Sequence, residues 1–387
     1  MKGEELPVFQ PPARLRGISK SLIRQMFDKA RPGSINLGLG EPDLPTPDCI
    51  TDAAVKAIEN EKNGYTMHAG LLPLRALVAS DYDLAGQSLT PQQVIITVGS
   101  QEALYLTLMT LIDEGDEVLL PDPGFVSYPM IVKMAGGRKR FYRLPAENGF
   151  KFDLNEFKRA LTPQTKVVVS VSPSNPTGMA LSEDDLLAIA KTLEGTGVFV
   201  ISDEIYRELY FGAFKPASIS SYYPRTVIIS GLSKSMSMTG WRLGWMCAEE
   251  DVIKSALLLH GYVTTCAPTI SQKAAFAAWS DEAAVSREER RKKFAERGIL
   301  LHQLITHELG LPAHVPDGAF YLMVDVGSVG CTIKVAEAML EEGVITVPGS
   351  AFGQESENYL RISFCAEPDV LLAGVSKMKQ AIQKLKG

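Results

Sequence analysis

The chain has 387 residues, 45% of them hydrophobic and 22% charged, with a formal net charge of −6. That length exceeds what one core usually supports, so two domains are expected in a globular protein of ordinary composition. The mild acidic balance and the lack of a basic run argue against nucleic acid or an anionic membrane as partner, and no apolar run is long enough to cross a bilayer.

Residues 1–34 form a polar arm with one short helix expected around 18–30, and the opening Met1-Lys2-Gly3-Glu4-Glu5 has no signal-peptide core. The stretch from Ile35 to Asp43 begins apolar and runs into a Gly/Pro turn. Its Gly38-Leu39-Gly40 lacks the third glycine of a dinucleotide fingerprint, so a nicotinamide site is rejected. Helices are predicted over 47–62 and 74–83, with a loop at Asn63-Gly64-Tyr65. From 92 onward strands and helices alternate, the signature of an α/β sheet. The strands are 94–98, 117–120, 167–171, 198–201 and 226–229, and helices fill the gaps, notably 101–113 and 182–194. The run Arg287-Glu288-Glu289-Arg290-Arg291-Lys292-Lys293 falls in a helix expected over 282–308 and reads most simply as a solvated face. Strands at 319–326, 344–347 and 359–363, with helices at 332–342 and 368–385, complete a smaller domain joined by the arm. The five cysteines are scattered and contain no CxxC pair, so neither a metal site nor a disulfide framework is suggested, and a reducing cytoplasm is expected.

In an open parallel sheet, ligands bind beyond the carboxyl ends of the strands, and the unusual polar residues fall there. Lys234 lies in a turn of small residues just past the run Thr226-Val227-Ile228-Ile229, eight positions before Arg242. A lysine desolvated in such a turn becomes a neutral amine able to form Schiff bases with carbonyls, including that of pyridoxal phosphate. Arg242 offers a planar fork for two oxygens of one phosphate. Gly99-Ser100-Gln101 lies at a helix start, where backbone N–H groups and the Ser100 hydroxyl can hold a phosphate. Asn175 can donate to a phenolate oxygen, and Tyr206, at a helix-like spacing from Asp203, can share it. Asp203 ends an apolar strand, where an unpaired carboxylate is expensive and a pyridinium nitrogen would be a suitable partner. Phe125 can stack on a flat ring. Taken singly, each has a plainer role: Ser100 or Asp203 as a cap, Asn175 as a turn residue, Phe125 as core. Taken together, they meet the phosphate, pyridine and Schiff-base requirements of one cofactor.

The motifs Ser174-Asn175-Pro176-Thr177-Gly178, Ser202-Asp203-Glu204-Ile205-Tyr206, Ser233-Lys234 with Thr239-Gly240-Trp241-Arg242-Leu243-Gly244, and Leu360-Arg361-Ile362-Ser363-Phe364 resemble those of class I/II aminotransferases of fold type I. The resemblance runs from about residue 34 to 387. It implies an α/β fold type I transferase. A large domain, 46–284, would carry a mostly parallel sheet flanked by helices, and 1–45 with 285–387 would form the arm and a smaller α+β domain. It implies pyridoxal 5'-phosphate as cofactor, Lys234 as Schiff-base lysine and proton shuttle, and Asp203 on the ring nitrogen. Asn175 and Tyr206 would take the ring oxygen, Phe125 the ring face, and Ser100, Gln101, Ser233 and Arg242 the phosphate. Arg361 would clamp the substrate α-carboxylate, with Gly40 and Asn175 nearby. Tyr65 resembles the tyrosine that reaches the partner subunit's phosphate, which implies a homodimer with shared active sites. Two departures stand out: Gly231 replaces a phosphate-binding Ser or Thr three residues before the lysine, and Phe125 replaces a Trp or Tyr.

The reaction expected is transfer of an amino group from an L-amino acid to a 2-oxo acid in two half-reactions. A C–S β-lyase on the same scaffold is the alternative, since it shares every cofactor residue. A non-enzymatic ligand sensor would need a DNA-binding module ahead of this domain, where only a short arm is expected.

Overall fold

The computed structural model describes residues 10–12, 15–60, 62–213 and 215–386; the opening residues 1–5, in which no signal-peptide core was expected, lie outside these. At its centre is a sheet of seven strands in the order Val94–Thr97, Gly244–Cys247, Thr226–Gly231, Phe199–Asp203, Thr165–Val171, Glu117–Asp122, Arg138–Arg143. All run parallel except Gly244–Cys247, which is antiparallel to both neighbours.

The apolar runs are continuous rather than alternating because both sheet faces are covered. Ile95, Val118, Leu120, Val167, Val169, Ile201, Val227 and Ile229 enter one core, against helices Gly99–Leu111, Ser127–Met134 and Glu250–Val263. The residues between them, Val94, Ile96, Leu119, Val168, Val200 and Ile228, enter two cores on the other face. This period of two follows from the pleat.

Two strands of the central sheet escaped the sequence reading for opposite reasons. Arg138–Arg143 is an edge strand, mostly exposed and rich in cations, a composition that blocks further pairing. Gly244–Cys247 is fully buried but follows directly on the arginine turn, so it reads as part of a motif.

The C-terminal part builds an antiparallel sheet of Tyr321–Asp325, Tyr359–Ser363 and Val347–Pro348, packed with helices Thr332–Glu341 and Pro368–Lys386. Ile35–Asn36 pairs in parallel with Val344–Ile345, so the chain that follows the arm is hydrogen-bonded to this part. Among the described residues, no helix is long and apolar enough to cross a membrane.

The charged run does not simply face solvent. In the helix Asp281–Gln303, Arg290 and Arg297 are buried with Phe294 and Leu301. Their spacing of three and four residues puts all four on one face, so the arginines share the apolar stripe. Arg297 is held by Asp43 at 2.7 Å and Glu367 at 2.6 Å.

Candidate active site

A cavity of about 450 Å³ opens at the carboxyl ends of the parallel strands. At one end the helix Gly99–Leu111 begins without a side-chain cap, so Ser100 is not the cap its type allowed, and it lines the cavity instead. Gln101, Ser233 and Arg242 line the same cavity. The Glu102 carboxylate accepts the Val98 N–H at 2.5 Å and the Thr264 hydroxyl at 2.8 Å, which pins the helix start. Gly99 has φ +74°, and a Cβ there would lie 2.5 Å from Arg242 Nη2. Glycine thus lets the guanidinium and the free N–H groups of the first turn converge, an arrangement suited to a phosphate.

Gly231 has a reason of its own. A Cβ at this position would lie 2.8 Å from the Leu243 carbonyl and 3.0 Å from Gly244 Cα, because the reversed strand packs directly against it. No hydroxyl side chain fits there, and Ser233, buried and lining the cavity, is the hydroxyl near the lysine.

Midway, Lys234 Nζ donates to the Gly40 carbonyl at 2.8 Å. Burial pushes its ammonium below the ordinary lysine value; Arg242 and Arg361 push the same way, while Cys365 and Glu41 oppose. Asp203 is the last residue of its strand and lies in the cavity wall, buried. Burial raises its carboxyl to about 6, although Tyr128 and the Ile205 N–H hold it down by hydrogen bonding. Phe125 lines the wall with its ring edge-on to Tyr128 at 5.6 Å.

At the far end Arg361, 2% exposed, donates to Asn175 Oδ1 at 2.8 Å and to the Gly38 carbonyl at 2.5 Å. Its Nε makes no hydrogen bond, so the guanidinium retains donor capacity. The Tyr206 and Tyr321 hydroxyls are 2.8 Å apart. Tyr206 sits in a turn rather than on the helix its spacing suggested, yet it reaches the same cavity. Gly40 is a close approach: a Cβ there would be 1.7 Å from the Tyr321 hydroxyl.

Of the candidates named from sequence, Tyr65 alone does not line the cavity; it is 88% exposed. The sequence reading missed Tyr128 and Tyr321, as well as an outer wall of Ser21, Ile23, Arg24, Phe27 and Leu39. For Tyr128 a signal existed in its position three residues after Phe125, one helical turn on. The wall could not be read, because the helix Leu22–Asp28 reaches the site only through tertiary packing.

The donor set fits pyridoxal phosphate. A phosphate cradle that a Cβ at Gly99 would disturb, a buried carboxylate, and an amine whose proton affinity burial lowers occur in one cavity of suitable size.

Residues 32–375 match the family described as aminotransferase class I and II. The aromatic-amino-acid aminotransferase 2 of Thermococcus litoralis is 36% identical, over 96% of this chain and 98% of that one. The aspartate aminotransferase of Geobacillus stearothermophilus is 38% identical, over 90% and 91%. The structure of aspartate aminotransferase from Thermus thermophilus with maleate superposes with a TM-score of 0.92 at 32% identity, covering 97% of this chain and all of that one.

Proposed function

The chain belongs to the class I and II aminotransferases and transfers amino groups, and we propose that it does so on pyridoxal 5'-phosphate through the residues that line its cavity. Family and named relatives support amino-group transfer rather than β-elimination. The observation that carries the site assignment is the joint placement of Lys234, Asp203, Arg242 and Arg361 around one cavity.

In this reading the first-turn N–H groups of Ser100 and Gln101, with Ser233 and Arg242, hold the phosphate. Asp203 pairs with the ring nitrogen, Asn175 and Tyr206 donate to the ring oxygen, and Phe125 covers a ring face. When bound, the cofactor supplies an aldehyde for amine exchange and a ring that draws electrons from the substrate α-carbon. Lys234 would be the residue that bonds the cofactor aldehyde, and as a free amine its Nζ would take the proton from the substrate α-carbon. Burial lowers the proton affinity of that amine, which favours its release as a free base. Arg361 clamps the α-carboxylate, with Gly40 and Asn175 beside it, and so fixes the direction of the α-C–H bond. Ile23, Arg24, Phe27 and Leu39 then face the substrate side chain.

The large cofactor-binding unit is assigned to 46–284, and the smaller one to 1–45 with 285–387. The protein is further assigned as a homodimer with shared sites. Tyr65, Met67, Leu258 and Tyr262 are 88%, 64%, 71% and 94% exposed. The segments that carry them are neighbours, since a Cβ on Gly261 would lie 2.8 Å from His68 Nδ1, and we take these side chains as one apolar surface. A second copy on this patch would bring Tyr65 to the partner's phosphate. The five unpaired cysteines suit a reducing cytoplasm.

The test is Lys234→Ala. It should abolish amino transfer between amino acid and 2-oxo acid while cofactor still binds. Turnover near that of the unaltered enzyme would end the assignment.

A further inference from the structure

Within the charged run 287–293 only Arg290 is buried, at 7% exposure. Its Nε donates to Ser286 Oγ at 3.1 Å, Nη1 to Ser237 Oγ at 2.7 Å, and Nη2 to the Pro45 carbonyl. All three acceptors are neutral. A buried guanidinium hydrogen-bonded to neutral groups is costly, and an apolar side chain of similar volume would serve packing alone at least as well. The position of the acceptors is what gives this arginine a purpose.

Ser237 lies three residues after Lys234 with φ +52°, a left-handed conformation that a serine keeps only when its surroundings hold it. Pro45 closes the segment that begins at Gly40, whose carbonyl accepts Lys234 Nζ. The two segments are also laced directly: the Thr46 hydroxyl donates to the Ser237 carbonyl at 2.9 Å, and the Thr239 hydroxyl to the Glu41 carboxylate. Arg290 grips both from the helix Asp281–Gln303, using a different nitrogen for each.

We propose that Arg290 is a positioning residue for Lys234: by tying Ser237 to Pro45 it sets the turn that aims the lysine amine into the cavity. This rests on the assignment of Lys234 as the residue that bonds the cofactor. The sequence alone hid it in a run that looked solvated.

The experiment compares Arg290→Met, Arg290→Lys and the exposed control Lys293→Met with the unaltered enzyme. Two quantities are read: kcat and KM with a good amino donor, and borohydride trapping of pyridoxal phosphate on Lys234 at limiting cofactor, followed by peptide mass spectrometry. Arg290→Met should lower kcat at least about tenfold with KM changed far less, because a misaimed amine loses effective concentration rather than substrate binding. Trapping on Lys234 should fall with it, Arg290→Lys should restore part of both, and Lys293→Met should match the unaltered protein. A folded Arg290→Met with unchanged kcat and trapping overturns the proposal. Should that variant not fold, Ser237→Ala removes the acceptor on the turn and must show the same loss of kcat; unchanged kcat there overturns the proposal equally. No trapping on Lys234 in the unaltered enzyme would instead sink the functional assignment, and this inference with it.

Discussion

The Tyr128 hydroxyl donates to Asp203 Oδ2 at 2.7 Å, and both side chains are buried. The bond spans 75 residues of sequence and joins the wall helix Ser127–Met134 to the end of the strand Phe199–Asp203. It leaves Asp203 Oδ1, which accepts the Ile205 N–H at 3.3 Å, as the oxygen with spare capacity toward the cavity.

Tyr128→Phe should preserve the packing while removing this bond. A hydrogen bond to a charged acceptor is worth about 1.5–3 kcal/mol, so the Asp203 carboxyl, already near 6, should rise by about one unit or more. Carbon NMR of labelled aspartate in cofactor-free protein, with Asp203→Asn to assign the signal, reads this directly. An unmoved midpoint would mean that the tyrosine does not hold the carboxylate in its charged form.

Asp203 is retained against stability. Its folded carboxyl binds a proton more tightly than an unfolded one, at about 6 against an ordinary 3.8, so its contribution falls as pH rises from about 4 through 6. At pH 7 the ionised group costs on the order of 3 kcal/mol. Urea unfolding of cofactor-free Asp203→Asn should show higher stability at pH 7, a flatter pH dependence across that window, and no amino transfer. A less stable Asn variant at pH 7 would refute this.

Gly99→Ala places a methyl group 2.5 Å from Arg242 Nη2 on a backbone with φ +74°. The left-handed conformation alone costs about 1–2 kcal/mol for alanine. Arg242 must also swing away, so affinity for pyridoxal phosphate should drop at least about tenfold, the equivalent of roughly 1.4 kcal/mol. Equilibrium dialysis against the cofactor decides it; intact affinity would remove Arg242 and the helix start from the phosphate site.

Tyr262→Asp puts a charge at the most exposed of the four apolar side chains assigned to the dimer surface. Sedimentation should show a dimer for the unaltered protein and dissociation for the variant, because an uncompensated carboxylate at such an interface is strongly unfavourable. Activity should fall with dissociation. A dimer that persists in Tyr262→Asp would place the interface elsewhere.

Many of the residues that the sequence made legible share one property: each leaves an apolar strand at its carboxyl end. Gly99-Ser100-Gln101, Phe125, Asn175, Asp203 and Lys234 all lie within a few residues of such an end. A parallel sheet places those ends along one edge, so local pattern sufficed to predict that they would meet. Hydrophobic runs with both faces buried announced the sheet itself.

Other relationships depend on partners far apart in the chain. Tyr128 finds Asp203, the Gly40 carbonyl finds Lys234 Nζ across 194 residues, and Arg290 finds Ser237 and Pro45. A run of charges averages to a solvated surface, and only the position of Arg290 four residues before Phe294 on one helix face hinted otherwise. Local sequence thus determined which groups stand at the strand ends and what chemistry they can offer. The tertiary structure decided which of them are desolvated, which hydrogen bonds hold their charge state, and where the lysine amine points, because burial and long-range contact are properties of the packed chain.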